Sequence, residues 1–223
     1  GRLRDPAPSL AEARWAYPLV GLVTGTVGWA ALQLALAVGL GPGPAAVIAL
    51  AALALLTGGL HHDGLADFAD GIGGGRDRTH CLEIMKDSRL GSYGALALVF
   101  VVLAGALALA EIAATLPLAE MLLVSVLSRW TMLGALVLLP PARPGGLGRM
   151  AAARSGRAWL PGGVAVGALA LVIGPGALAV LAAGLLAAGL VAALARRRLG
   201  GQTGDVLGAV QLLSEVAGWL ALA

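Results

Sequence analysis

Long apolar runs separated by short polar connections dominate the chain, and seven can be read, at roughly 18–40, 44–59, 94–114, 118–139, 160–173, 176–195 and 205–222. They lack the short alternating segments of a membrane β-barrel, and most approach the roughly 20 residues an α-helix needs to cross the hydrocarbon core. The pattern predicts an all-α, polytopic transmembrane helix bundle of about seven spans, with residues 1–223 as a single integral membrane domain. The second and fifth runs are short and abut Gly/Pro turns, Gly41 to Pro44 and Gly174 to Gly176. Each is expected to tilt, to thin the bilayer locally or to extend into its neighbouring loop.

The basic residues supply an independent check, because the connections should alternate between basic and neutral if all seven runs span. Arg2, Arg4 and Arg14 precede the first run. Arg76, Arg78, Lys86 and Arg89 follow the second, Arg143, Arg149, Arg154 and Arg157 the fourth, and Arg196, Arg197 and Arg198 the sixth. The connections near 41–44, 115–118 and 174–176 carry none, so fourteen of the fifteen Lys and Arg residues fall on one side. This predicts a cytoplasmic N-terminus. The exception, Arg129, lies about halfway along the fourth run, and Glu215 sits at similar depth in the seventh. A lone charge there is costly, so the two are expected to form an intramembrane polar pair or to line a polar cavity.

Composition agrees. Hydrophobic residues make up 59% of the chain and charged ones 12%, with a mean hydropathy of +0.90, which excludes an ordinary soluble domain. Glycine, at 34 residues, and alanine suit helices that pack closely in lipid. The net charge of +3 gives no reason to expect nucleic acid as a partner. The single cysteine, Cys81, permits no intrachain disulfide. The chain starts at Gly1 without the pattern of a cleaved signal, and residues 1–15 are treated as an incomplete element. Nothing in these patterns assigns an oligomeric state.

Chemistry concentrates in residues 58–94, which hold six of the twelve acidic residues, four basic ones and all three histidines. Asp63, Asp67 and Asp70 are spaced i, i+4, i+7 and share a stripe of one helix face. Like charges at that spacing repel, an arrangement that a divalent cation would relieve, and an all-oxygen donor set favours Mg2+. Gly73, Gly74 and Gly75 follow, then Glu83, Lys86, Asp87 and Arg89. Glycine backbone with Lys and Arg beyond it suits phosphate, and a cation plus basic groups suits phosphoryl transfer. His61 and His62 adjoin the first Asp; at most one faces the site, where it could serve as general base or as hydrogen-bonded support. A second polar stretch, GGQTGDVLGAVQLLSE, opens the seventh run, with Thr203 as a helix cap and Asp205 as a second carboxylate contribution.

These segments resemble the cobalamin synthases, also called adenosylcobinamide-GDP ribazoletransferases. GGLHHDGLADFADGIGGG followed by LEIMKDSRLGSYG is similar to that family's signature, TGDVLGAVQLLSE to its C-terminal signature, and YPLVGLVTG to its approach to the first span. His62 stands where the resemblance leads us to expect an apolar residue. The resemblance implies a bacterial inner-membrane enzyme whose active site faces the cytoplasm. A ribose hydroxyl of α-ribazole, or of α-ribazole 5′-phosphate, attacks the cobinamide-linked phosphate of adenosylcobinamide-GDP; GMP leaves, with magnesium required. On this reading Asp63, Asp67 and Asp70 hold magnesium, with Glu83, Asp87 or Asp205 completing or extending the metal site. Lys86 and Arg89, beside Gly74 and Gly75, hold the diphosphate, and His61 and Lys86 are further catalytic candidates.

Other classes share part of this physics. Membrane prenyltransferases hold a diphosphate through magnesium on aspartate-rich helices but use a second Asp-rich motif, where this chain offers only Asp205 and Glu215. CDP-alcohol phosphotransferases want an Arg shortly after Asp-Gly. A transporter would place its main polar site at the midplane rather than at one end.

Overall fold

Every apolar run is helical in the computed structural model, which describes residues 10–143 and 158–223. Arg2, Arg4, Arg149, Arg154 and Arg157, used above for topology, lie outside the described residues. In chain order the helices are α1 (Leu10–Ala13), α2 (Tyr17–Ala37), α3 (Pro42–Leu56), α4 (Leu60–Gly74), α5 (Arg78–Ile84), α6 (Ser92–Ile112), α7 (Leu118–Leu138), α8 (Trp159–Ile173), α9 (Ala177–Leu199) and α10 (Gly204–Leu220).

The bundle is organised around α7. Of its most apolar stretch 72% is buried, against 28% for α6, so it is the helix that the others cover. Small residues set the approach of α2. A Cβ on Gly21 would lie 2.6 Å from both Ser125 O and Val126 Cα, and one on Gly28 would lie 2.8 Å from Met121 Cε. The rising numbers on α2 meet falling numbers on α7, so the two are antiparallel. α8 and α10 also run against α7, with Gly162 beside Trp130 and Gly218 beside Val124, whereas α9, whose Gly184 meets Leu127, runs with it. The chain therefore doubles back at the 3-10 turn Gly174–Gly176, and the described basic connections gather at one end of the bundle.

Replacing Gly21 with Ala is expected to lower stability by about 1–3 kcal/mol, because its new methyl meets backbone that cannot rotate away. Gly167, with nothing within 4 Å of a Cβ, should accept Ala without loss. Thermal unfolding of the two variants in the same detergent checks this.

Among the described residues, four stretches are long and apolar enough to cross a membrane: Arg14–Ala37, Ser92–Ile112, Leu118–Leu138 and Trp159–Leu199. The last includes both arms of the α8/α9 hairpin. The short second run differs most from expectation. α3 has 15 residues, about 22 Å at 1.5 Å per residue, and the chain then bends by 90° into α4; only as one bent element would the pair count as a fifth span. Consecutive left-handed glycines, Gly58 at φ 61° and Gly59 at φ 70°, make the bend, a conformation costly for any residue with a Cβ. The acidic helix thus departs at a right angle from the preceding apolar helix.

Candidate active site

α4 is fixed by glycine contact with α10. A Cβ on Gly64 would lie 3.1 Å from Asp205 O, and one on Gly208 would lie 3.3 Å from the Cα atoms of Gly64 and His61. Only hydrogen at both positions lets the helices meet this closely. The contact brings the acidic segment to the start of α10, where Thr203 Oγ1 caps the helix by accepting from Val206 N–H at 3.3 Å and also bonds Asp205 Oδ2 at 3.2 Å. A cavity of about 410 Å³ opens between α2, α4, α7 and α10; its polar lining includes His61, Asp63, Arg129 and Asp205, and its apolar lining includes Val20, Met132 and Leu136.

Asp67 lies one turn beyond Asp63 on α4, outside the four spans. Burial, and then the charges of Asp63, Asp205 and Asp70, push its carboxyl up to about 6, with Arg143 opposing. After burial, the neighbouring carboxylates add to that rise, and one of them, Asp205, comes from another helix.

Asp70 has a different occupation. Its buried carboxylate accepts from Gly91 N–H at 2.7 Å and Gly94 N–H at 2.8 Å, capping α6 and tying it to α4. Replacing Asp70 with Ala is expected to leave both donors without an acceptor, at about 1–3 kcal/mol for each that stays buried. Asp70→Asn keeps one acceptor oxygen and should lose less. The fall in unfolding temperature of the two variants measures the difference.

The remaining sequence candidates are spread out. Asp87 and Arg89 pair with each other on an exposed loop, where the hydrogen bonds from Arg89 hold the Asp87 carboxyl below its usual range. Glu83 and Lys86 are exposed on or just after α5, and neither they nor Gly74 and Gly75 line the cavity. Among the described residues, no three His, Cys, Asp or Glu side chains converge closely enough to hold a metal ion by themselves.

Behind the cavity, Arg129 Nη1 donates to Glu215 Oε1 at 3.1 Å, with the two side chains 4% and 5% exposed. The same nitrogen donates to Ser125 O at 2.9 Å, while Gln211 Nε2 donates to Glu215 Oε2 at 3.0 Å and to Ser128 Oγ at 3.2 Å. Each of the two charges therefore has a partner besides the other. The helical spacing of Ser125, Ser128 and Arg129, and of Gln211 and Glu215, was a signal for this network. Arg143 entered the sequence reading only as a topological charge, yet it stands 3.8 Å from Asp205.

The chain matches the family model described as cobalamin-5-phosphate synthase over residues 2–223. It is 44% identical over 215 residues to the adenosylcobinamide-GDP ribazoletransferase of Bradyrhizobium diazoefficiens, covering 93% of this chain and 81% of that protein. Proteins of the same name from Rhizobium etli strain CIAT 652 (46% over 219 residues, 93% and 84%) and Mesorhizobium japonicum (43% over 212 residues, 93% and 81%) are similar to it. No solved structure matches it.

Proposed function

The chain belongs to the cobalamin-5-phosphate synthase family, and we propose on that basis that it is a membrane-embedded adenosylcobinamide-GDP ribazoletransferase. A ribose hydroxyl of α-ribazole, or of its 5′-phosphate, attacks the cobinamide-linked phosphorus of adenosylcobinamide-GDP. The bond from that phosphorus to the bridging oxygen breaks, GMP leaves, and adenosylcobalamin or its 5′-phosphate forms. The observation that carries this reading is that the two signature segments, far apart in sequence, contribute His61, Asp63 and Asp205 to one cavity. His61 is assigned the hydroxyl proton, and the apolar walls favour close, oriented approach of the reactants.

Magnesium is the cation we assign. Asp63 and Asp205, with Asp67 beside them, form an incomplete oxygen set, which fits an ion that commonly takes one or two carboxylates and completes its shell with water and substrate phosphate. When bound, magnesium neutralises charge gathering on the phosphates. The basic end of the bundle is assigned to the cytoplasmic face of a bacterial inner membrane by the positive-inside rule.

The test is GMP release by protein in liposomes given both substrates, with magnesium or with chelator. Magnesium-dependent GMP and a matching corrinoid product are expected; equal release in chelator would remove the metal assignment, and no release from folded protein would remove the transferase. Stability should also respond. With Asp67 raised to about 6 in the fold from the ordinary 3.8 of an aspartate, the folded state holds the extra proton between those values, so stability falls as pH rises through that window. Magnesium should therefore raise the unfolding temperature more at pH about 7.5 than at pH about 5, where protons already relieve the repulsion.

A further inference from the structure

Arg143 lies just past α7, after Leu139–Ala142, and its place is set by backbone. Gln202 N–H donates to Pro140 O and Ala142 N–H donates to Gln202 O, each at 2.8 Å, so the residues after α7 pair with the loop that leads into Asp205. From this anchor Nη2 donates to Leu82 O on α5 at 3.1 Å. Nη1 stands 3.8 Å from Asp205 Oδ2, near enough to attract and too far for a hydrogen bond, with the two side chains only 23% and 22% exposed. Arg143 Nε is buried and has no hydrogen-bond partner among the described residues.

The neighbouring basic residues differ. Arg78 and Arg198 donate to the backbone carbonyls of Ala142 and Gly75 and hold loops together, and Arg89 is exposed beside Asp87. Only Arg143 of these stands against a carboxylate of the cavity while keeping an unsatisfied, buried donor. A guanidinium has five N–H donors in a rigid fork suited to phosphate oxygens, and an unsatisfied buried donor calls for a reason.

We propose that Arg143, which stands beside the cavity against Asp205 rather than among its lining residues, swings its guanidinium inward to hold the diphosphate of the donor substrate, placing Nε and an Nη hydrogen on non-bridging phosphate oxygens and stabilising the charge that gathers on departing GMP. Without substrate, the same guanidinium balances Asp205. The inference rests on the transferase reading and adds to it a residue from outside both signature segments.

The test compares wild type, Arg143→Met and Arg143→Lys in liposomes, with the KM of each substrate measured separately and Mg-GDP binding as an equilibrium readout. For Arg143→Met we expect the KM for adenosylcobinamide-GDP to rise at least tenfold and Mg-GDP binding to weaken by a similar factor. The KM for α-ribazole 5′-phosphate should stay within twofold, and Arg143→Lys should fall between. An unchanged donor KM in folded Arg143→Met overturns the proposal, as does an equal rise in both KM values, the signature of a structural role. If Arg143→Met does not fold, Arg143→Lys decides: a threefold or larger rise confined to the donor supports the assignment, and no change overturns it. If the wild type releases no GMP, the transferase reading fails, while the difference in Mg-GDP binding still decides whether Arg143 binds diphosphate.

Discussion

Asp63→Asn is expected to reduce GMP release by a factor of about 10²–10³, the scale of losing one charged or oriented group from a reacting centre, while the protein stays folded. Asp63 is exposed on α4 and lines the cavity, so a change of nearly the same shape creates no void and strands no partner. It also removes one of the charges that push Asp67 upward, so the unfolding temperature in chelator should hold or rise. Activity and stability moving in opposite directions is what separates a carboxylate kept for function from one kept for folding. Asp70→Ala supplies the contrast, since stability should fall there first. GMP release and thermal unfolding on the same preparations decide it; Asp63→Asn with more than half of wild-type turnover would remove Asp63 from the reacting centre.

The contrast between Asp63 and Asp70 also shows what could be read from sequence. Spacing of i, i+4, i+7 does place three carboxylates on one helix face, because that follows from 3.6 residues per turn. What faces the stripe depends on other helices. At one end it meets α10 and Asp205, and at the other it meets two backbone N–H groups at the start of α6. The apolar runs were legible as helices because lipid leaves the backbone few alternatives. The right-angle bend after α3 was not, since a Gly-Gly pair permits left-handed geometry without requiring it. Arg143 was hidden for a similar reason: its role depends on the pairing of Ala142 with Gln202, a contact between distant segments that no local pattern encodes.

The Arg129–Glu215 pair was legible because burying one charge alone in the membrane is so unfavourable that a second at matching depth implies a partner. The same reasoning sets the other large effect. Replacing Arg129 with Met should leave Glu215 buried with only Gln211 as a donor, and replacing Glu215 with Leu should leave Arg129 with only Ser125 O and Ser128 Oγ. Either single change is expected to cost about 3–5 kcal/mol, the range for stranding one member of a buried ion pair. The double variant, Arg129→Met with Glu215→Leu, strands neither charge and should recover much of that loss, as a cycle of the three unfolding free energies would show. Recovery of stability need not restore turnover, because Arg129 also lines the cavity. A stable but inactive double variant would assign the pair to the site as well as to the fold, whereas a stable and active one would make it a strut between α7 and α10. Losses that simply add in the double variant would mean that the two charges are not coupled, despite their 3.1 Å separation.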